Sequence, residues 1–452
     1  MNSKFFAFVL MMLISNIDAL AQNGSWKRLL DDPVYGFSFN PKNPSTIIVG
    51  GLGRTLYKTF DAGKTWHIDS IEFRSGSSQL TNILISSIDT NIVLAGGVFN
   101  SIRRSTNQGV DWETVFEPEK PQFISPGETI IEHPENPNII YAGDNNSNRI
   151  FRSTDIGKSW DTLATLNVPS LCTIAFRPDN PAIMFAGCKT GIIEKSIDSG
   201  KTWIRKATLR GFTDSEIPKI VFSKKNPMIG FAIIAYFLPD RKPNGGIFKT
   251  TDGGENWSEF GLRDTSFWAL CLTEMQGNEM LFAGGYSDVS ENIPGPGMII
   301  QSDLQANSIV RYTSEIPWYL GTQNDPRRKN VWMMKASGNN QNSLFVASEA
   351  GFYVWEQQST EVRESYQTIQ YLRIGKNEIV VDNPELIHAI KISTIHGALI
   401  YDAKFMHSQQ IENLSDGMYL ILCTLNNGLS SSILFTKCNN ELFVNHQLSS
   451  EQ

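Results

Sequence analysis

One nine-residue phrase recurs five times in this chain, and it constrains the fold more than any other feature. It reads Lys58-Thr59-Phe60-Asp61-Ala62-Gly63-Lys64-Thr65-Trp66, then Arg104-Ser105-Thr106-Asn107-Gln108-Gly109-Val110-Asp111-Trp112. It returns as Arg152-Ser153-Thr154-Asp155-Ile156-Gly157-Lys158-Ser159-Trp160 and Lys195-Ser196-Ile197-Asp198-Ser199-Gly200-Lys201-Thr202-Trp203. The last copy is Lys249-Thr250-Thr251-Asp252-Gly253-Gly254-Glu255-Asn256-Trp257. The Asp accepts hydrogen bonds from the amides just ahead of it and closes a turn. Gly two residues on takes the positive φ of a tight hairpin, and the Ser/Thr two before the Asp bonds across it. The Trp begins the return strand and fills the gap beside the hairpin. These roles are structural: four aspartates and one asparagine, each at the same place in its own repeat, make no catalytic array.

Each phrase ends a longer unit of strands, read from short β-branched or aromatic runs punctuated by turn residues. An apolar strand, a Pro-containing turn and a second strand ending in small residues precede the strand that enters the phrase. Each unit is four strands, one propeller blade. Anchors Tyr57, Arg103, Phe151, Glu194 and Phe248, with the weaker Ile300 and Tyr353, give six steps of about 49 residues and hence seven blades. Blade six lacks the Gly and Trp of the phrase. Blade seven lacks its last strand, and Trp26-Lys27-Arg28-Leu29 resembles the missing text. An N-terminal strand completing the last blade closes the ring and removes its free edges.

The phrase resembles the Asp-box (BNR) repeat, and the chain thereby resembles Asp-box β-propellers of the sortilin, photosystem II assembly-factor-like and xyloglucanase-like types. The expected fold is all-β: a seven-bladed propeller over residues 22–356, a linker over 357–378, and a small β-sandwich over 379–452. The tail carries Gly397-Ala398-Leu399-Ile400-Tyr401, Asp416-Gly417-Met418-Tyr419-Leu420-Ile421 and a last strand ending in Lys437. It resembles the C-terminal sorting domain of the bacterial type IX secretion system, although 15 residues follow Lys437. An accessory Ig-like sandwich is the alternative.

Residues 1–21 read as a secretory signal: Lys4, an apolar run over 5–14, and Ala19-Leu20-Ala21. No later run has the roughly 18 apolar residues of a spanning helix. The expected location is secreted or on the outer cell surface, by way of the periplasm. The tail would engage the type IX machinery. A formal charge of −7 speaks against a nucleic-acid partner. Among five cysteines there is no CxxC. Cys172 and Cys188 sit symmetrically about the turn at Asn180, so a disulfide and a pair of buried thiols are both open.

The search for chemistry removes more than it adds. The Gly-Lys-Ser/Thr triplets lack the upstream Gly of a phosphate loop and precede strands. The six histidines show no HxxxH or HxH spacing, and no Gly-x-Ser-x-Gly elbow occurs. No cofactor or metal is expected. The Arg-Ile-Pro text of sialidases is missing before Asp61. The xyloglucanase-type glycosidases carry a catalytic Asp where this chain reads Gly50-Gly51-Leu52-Gly53-Arg54, so Leu52 occupies the position of the proton-moving carboxyl. Loop carboxylates Asp214, Glu216, Asp264, Glu315 and Asp325 are the remaining candidates for a glycosidase pair. The expected role is therefore non-catalytic binding or scaffolding, with polysaccharide hydrolysis as the alternative. The partner would be a carbohydrate or an envelope or extracellular protein. The long loops 204–218, 233–246, 284–298 and 313–330 bring Phe237, Tyr286, Trp318 and Tyr319, with Trp268 close by. These are the candidate ligand face opposite the hairpins.

Overall fold

The computed structural model describes residues 24–73, 79–97, 101–118, 128–145, 148–210, 215–236, 245–263, 265–275, 277–288, 294–306, 309–312, 330–337 and 343–357. In the C-terminal part it describes 372–374, 378–381, 387–394, 399–403, 408–410, 417–425, 430–438 and 441–450. The signal segment expected at 1–21 lies outside the described residues. The chain divides into two units, Met1–Gln358 and Ser359–Gln452.

The first unit is a seven-bladed β-propeller of four-stranded antiparallel sheets. After β1 (Gly24–Leu30), blade one is β2 (Val34–Asn40), β3 (Asn43–Gly51), β4 (Thr55–Thr59) and β5 (His67–Ser70). Blade two is β6 (Asn82–Ile85), β7 (Val93–Gly96), β8 (Ile102–Ser105) and β9 (Glu113–Phe116). Blade three is β10 (Ile130–Glu132), β11 (Ile140–Gly143), β12 (Arg149–Ser153) and β13 (Asp161–Thr165). Blade four is β14 (Leu171–Arg177), β15 (Asn180–Cys188), β16 (Ile192–Ser196) and β17 (Ile204–Thr208). Blade five is β18 (Glu216–Phe222), β19 (Gly230–Ala235), β20 (Gly246–Thr250) and β21 (Ser258–Gly261). Blade six is β22 (Thr265–Met275), β23 (Asn278–Asp288), β24 (Pro294–Ser302) and β25 (Ile309–Tyr312). Blade seven is β26 (Val331–Ala336), β27 (Ser343–Ser348) and β28 (Gly351–Gln357), and β1 completes it, pairing Trp26 with Trp355. The first and last strands of the ring pair with each other, so the outer edge of β28 is covered by β1.

The core is divided among the blade interfaces. Phe37, Val49 and Tyr57 of blade one pack against Phe345 and Phe352 of blade seven. Phe282 and Ile299 of blade six pack against Leu344, Val346 and Trp355 of blade seven. Equivalent clusters fill the interfaces between. Each phrase Trp leans on the interface with the preceding blade; Trp66, for example, meets Phe352 edge-on at 6.0 Å. These five rings are only half-buried, so each carries less than a fully buried Trp would.

The hairpin chemistry is visible atom by atom. Gly63 N donates to Thr59 Oγ1 at 2.8 Å, and Thr59 Oγ1 donates to Asp61 Oδ1 at 2.7 Å. The amides of Lys64 and Thr65 donate to Asp61 Oδ1 at 3.0 and 2.9 Å. In the second copy Asn107 Oδ1 accepts from Asp111 N at 2.8 Å, and its amide donates to Asp111 Oδ2, so the carboxylate has moved four residues on. Two consecutive residues are left-handed in each copy, not the Gly alone: Ala62, Gln108, Ile156, Ser199 and Gly253 also have positive φ. The amide of that first residue is spent on the neighbouring hairpin of the same blade, as in Ala62 N to Ser45 O at 2.9 Å. The hydrogen bond offsets a strain of about 1–2 kcal/mol. The basic residue opening the phrase reaches the hairpin of the next blade. Lys58 Nζ donates to Gly109 O at 2.6 Å, Arg104 Nε to Ile156 O at 3.0 Å, and Lys195 Nζ to Gly253 O at 3.2 Å. Lys249 Nζ reaches Leu304 O at 2.5 Å even though blade six lacks the full phrase.

The second unit holds two sheets. One orders β29 (Leu372–Ile374), β30 (Glu378–Val381) and β33 (Ser408–Gln410). The other orders β32 (Leu399–Ala403), β31 (Ile387–Thr394), β34 (Gly417–Leu425), β35 (Ser430–Cys438) and β36 (Glu441–Ser450). The stretch read as linker therefore contains a short strand, and the residues beyond Lys437 form a paired strand. No helix of the described residues is long and apolar enough to cross a membrane.

Candidate functional site

The first strands of the blades line the centre of the ring, and charged side chains from two of them and from the residues ahead of a third meet there. Glu128, just ahead of β10, accepts from Lys219 of β18 at Oε2 and from Lys335 of β26 at Oε1. Blades three, five and seven are thus tied across the channel. Lys335 Nζ also donates to Phe37 O of blade one at 3.1 Å and lies 5.7 Å over that ring. Glu128 O accepts from Ile174 N of blade four at 3.4 Å. Burial would raise the Glu128 pKa, but the two lysines outweigh it and hold the carboxyl well below its usual range.

Beside this cluster, Trp332 stacks at a tilt against Trp268 at 5.4 Å and against Tyr35 at 5.7 Å. Glu128, Lys219, Trp268, Trp332, Met333 and Met334 leave a cavity of ≈ 10 Å³ between them. That holds about one water. Among the described residues this cavity is too small for a large ligand.

The structure separates the residues singled out in the sequence. The hairpins formed by the first and second and by the third and fourth strands share one face, as the Ala62–Ser45 bond requires; the remaining connections lie on the other. On that second face Leu52 is 57% exposed and bridges to Gln79, with Arg54 Nη2 at 3.5 Å from Phe73 O. Glu216 is buried, with its carboxylate 3.2 Å from Lys189 Nζ, so it is held in an ion pair. Asp214, Asp264, Glu315, Asp325, Phe237, Trp318 and Tyr319 lie outside the described residues. Tyr286 pairs with Ser266 across β22 and β23, and its side chain lies outside the description.

One expectation is corrected and one open question is answered. Trp268 is not an exposed ligand-face ring. It is 1% exposed, because it sits at a bulge in β22 and turns into the packing with Trp332. Cys172 and Cys188 are free, buried thiols. Irregularities towards both ends of the β14–β15 pairing shift the register, so Leu171 and not Cys172 stands opposite Cys188. Burial and then the Glu216 charge push the Cys172 thiol well up, and burial does the same for Cys188.

The phrase aspartates are solvent-side structural acceptors. Hydrogen bonds from Thr202, through side chain and amide, and from Ser196 hold Asp198 at about 2. Asp252 also lies at about 2: partial desolvation pulls upward, and bonds from Asn256 and Thr250 prevail. Carboxylates with low pKa values, both oxygens of which accept hydrogen bonds within a turn, are poor proton donors or bases near neutral pH. Among the described residues no His/Cys/Asp/Glu group is arranged to hold a metal ion.

The sequence did not point to the central cluster. The available signal was a single lysine within an apolar run of each of two first strands, Lys219 in Ile217-Pro218-Lys219-Ile220-Val221 and Lys335 in Trp332-Met333-Met334-Lys335.

Fold and site together define a class: a seven-bladed β-propeller with a charged cluster at its centre and a repeated Asp-centred hairpin on one face. No family model matches the chain. It is 24% identical over 171 residues to a xyloglucanase from Paenibacillus sp, a match spanning 37% of this chain and 14% of that enzyme. Among solved structures, the GH74 xyloglucanase from Xanthomonas campestris superposes with a TM-score of 0.58 at 12% identity, covering 93% of this chain and 69% of that one. YCF48 bound to D1 peptide gives 0.52 at 17% identity, covering 75% and 98%. YCF48 from Cyanidioschyzon merolae gives 0.52 at 16%, covering 75% and 100%. These likenesses share the fold.

Proposed function

We propose that this chain is an exported Asp-box propeller that holds an extended ligand, glycan or peptide, on the face opposite its hairpins without cleaving it. The observation that carries the reading is Leu52. An exposed aliphatic side chain stands where the xyloglucanase-type text has its catalytic carboxyl, and it cannot move a proton. The neighbours support both ligand chemistries: one is bound to a peptide and others are named for a polysaccharide. Residues 1–21 would direct export, and the two-sheet tail would be a sandwich of the type IX sorting kind that delivers the protein to the surface.

Polysaccharide hydrolysis is the second reading, favoured by the sequence match to a xyloglucanase. The two separate in one experiment. The full chain is offered a panel of plant and bacterial polysaccharides and peptides, and both retention and new reducing ends are measured. Retention without release is expected. Release that disappears in Asp214→Asn or Asp264→Asn would replace the binding reading with a glycosidase.

A further inference from the structure

The central cluster does not balance its charge. Two ammonium groups meet one carboxylate, and each oxygen of Glu128 is already taken by one lysine. An ammonium has three N–H groups; Lys335 spends a second on Phe37 O, and Lys219 is shown with Glu128 alone. The rest of the cavity wall is Trp268, Ala269, Leu270, Trp332, Met333 and Met334. Trp332 Nε1 is buried without a hydrogen-bond partner, and an indole nitrogen only donates. The unspent polar groups are therefore all donors. They carry a net charge of +1 beside an apolar wall, where an opposite charge is worth more than in water. The three charged side chains keep 20%, 21% and 26% of their surface, so the channel reaches them.

We propose that this part of the channel is a binding subsite for a carboxylate on a slender end, a small carboxylate or the acid terminus of a threaded chain. The anion brings the cluster to neutrality and accepts from Lys219 and from the Trp332 indole. The cavity as it stands holds about one water, so entry requires Met333 or Met334, both unbranched and adaptable, to give way. The subsite is independent of whether the outer face takes glycan or peptide, so it can fail while that reading stands.

The test uses the full chain at pH 7, with acetate as probe and acetamide and equal sodium chloride as controls. Binding is read by ligand NMR and by the shift of the thermal midpoint. Acetate is expected to bind and acetamide is not. Lys219→Met leaves a neutral Glu128–Lys335 pair and is expected to weaken acetate about tenfold or more. Glu128→Gln raises the local charge by one and is expected to tighten acetate. General damage to the fold would weaken binding in both variants, so the opposite signs carry the proposal. Acetate binding no better than acetamide, or weakened in both variants, overturns it.

Discussion

Replacing Glu128 with Gln tests the energetics of the ring where three blades meet. The substitution keeps the shape and removes the one negative charge between Lys219 and Lys335. Breaking a buried ion pair by deleting one partner costs about 3–5 kcal/mol. Here the lysine side chains keep 20% and 26% of their surface, so water relieves part of the penalty and about 2–4 kcal/mol is expected. All ten tryptophans lie between Trp26 and Trp355, so urea unfolding followed by Trp fluorescence reports the propeller without the tail. The pH dependence gives an independent check. The folded carboxyl lies below its usual range, so its contribution is complete above the unfolded value of about 4.3 and is lost as pH falls toward the folded value. The gap between wild type and Glu128→Gln should shrink by roughly 1.4 kcal/mol per pH unit below about 4.3. A gap under about 0.5 kcal/mol at pH 7, or one unchanged at pH 3, refutes the reasoning.

Further outcomes follow from the hairpins and the ring closure. Gly63→Ala places a Cβ 3.0 Å from Leu29 Cδ1 at φ +87°, so it should cost about 1–3 kcal/mol in urea melts, while the neighbouring Ala62→Gly should be neutral or stabilising by up to about 1 kcal/mol. Trp203→Ala should lose about 2–3 kcal/mol, less than a fully buried ring, because Trp203 is half-buried and its Nε1 bond to Gly200 O at 2.8 Å is replaceable by water. Deleting residues 24–30 should lower the thermal midpoint and promote association, since β28 loses its outer partner; light scattering checks it. Cys172 and Cys188 should resist alkylation until the chain unfolds, as burial holds both thiols protonated; peptide mass mapping reads this directly.

Most of the ring was legible because its information is local. Asp61, Gly63 and Trp66 close one hairpin within eight residues, and the same spacing four more times leaves little freedom in blade count. Even the closing strand was readable, since Trp26-Lys27-Arg28-Leu29 repeats the text that follows each hairpin. The central cluster was not legible, because Glu128 and Lys219 are 91 residues apart and meet only when blades three and five face each other across the channel. Trp268 was misplaced for a related reason: a bulge decides whether a strand-end ring turns outward or in, and composition does not encode it. The state of the thiols was left open, since symmetry about Asn180 decides it only for a regular register and the β14–β15 pairing carries two irregularities.

The most direct measurement is a titration of the full chain with xyloglucan oligosaccharides and with a peptide panel, counting reducing ends in the same samples at stoichiometric protein. The account predicts saturable binding of at least one ligand class and no new reducing ends, with Leu52 unable to act as acid or base. Stoichiometric release of reducing ends from xyloglucan would contradict it and make the propeller a hydrolase.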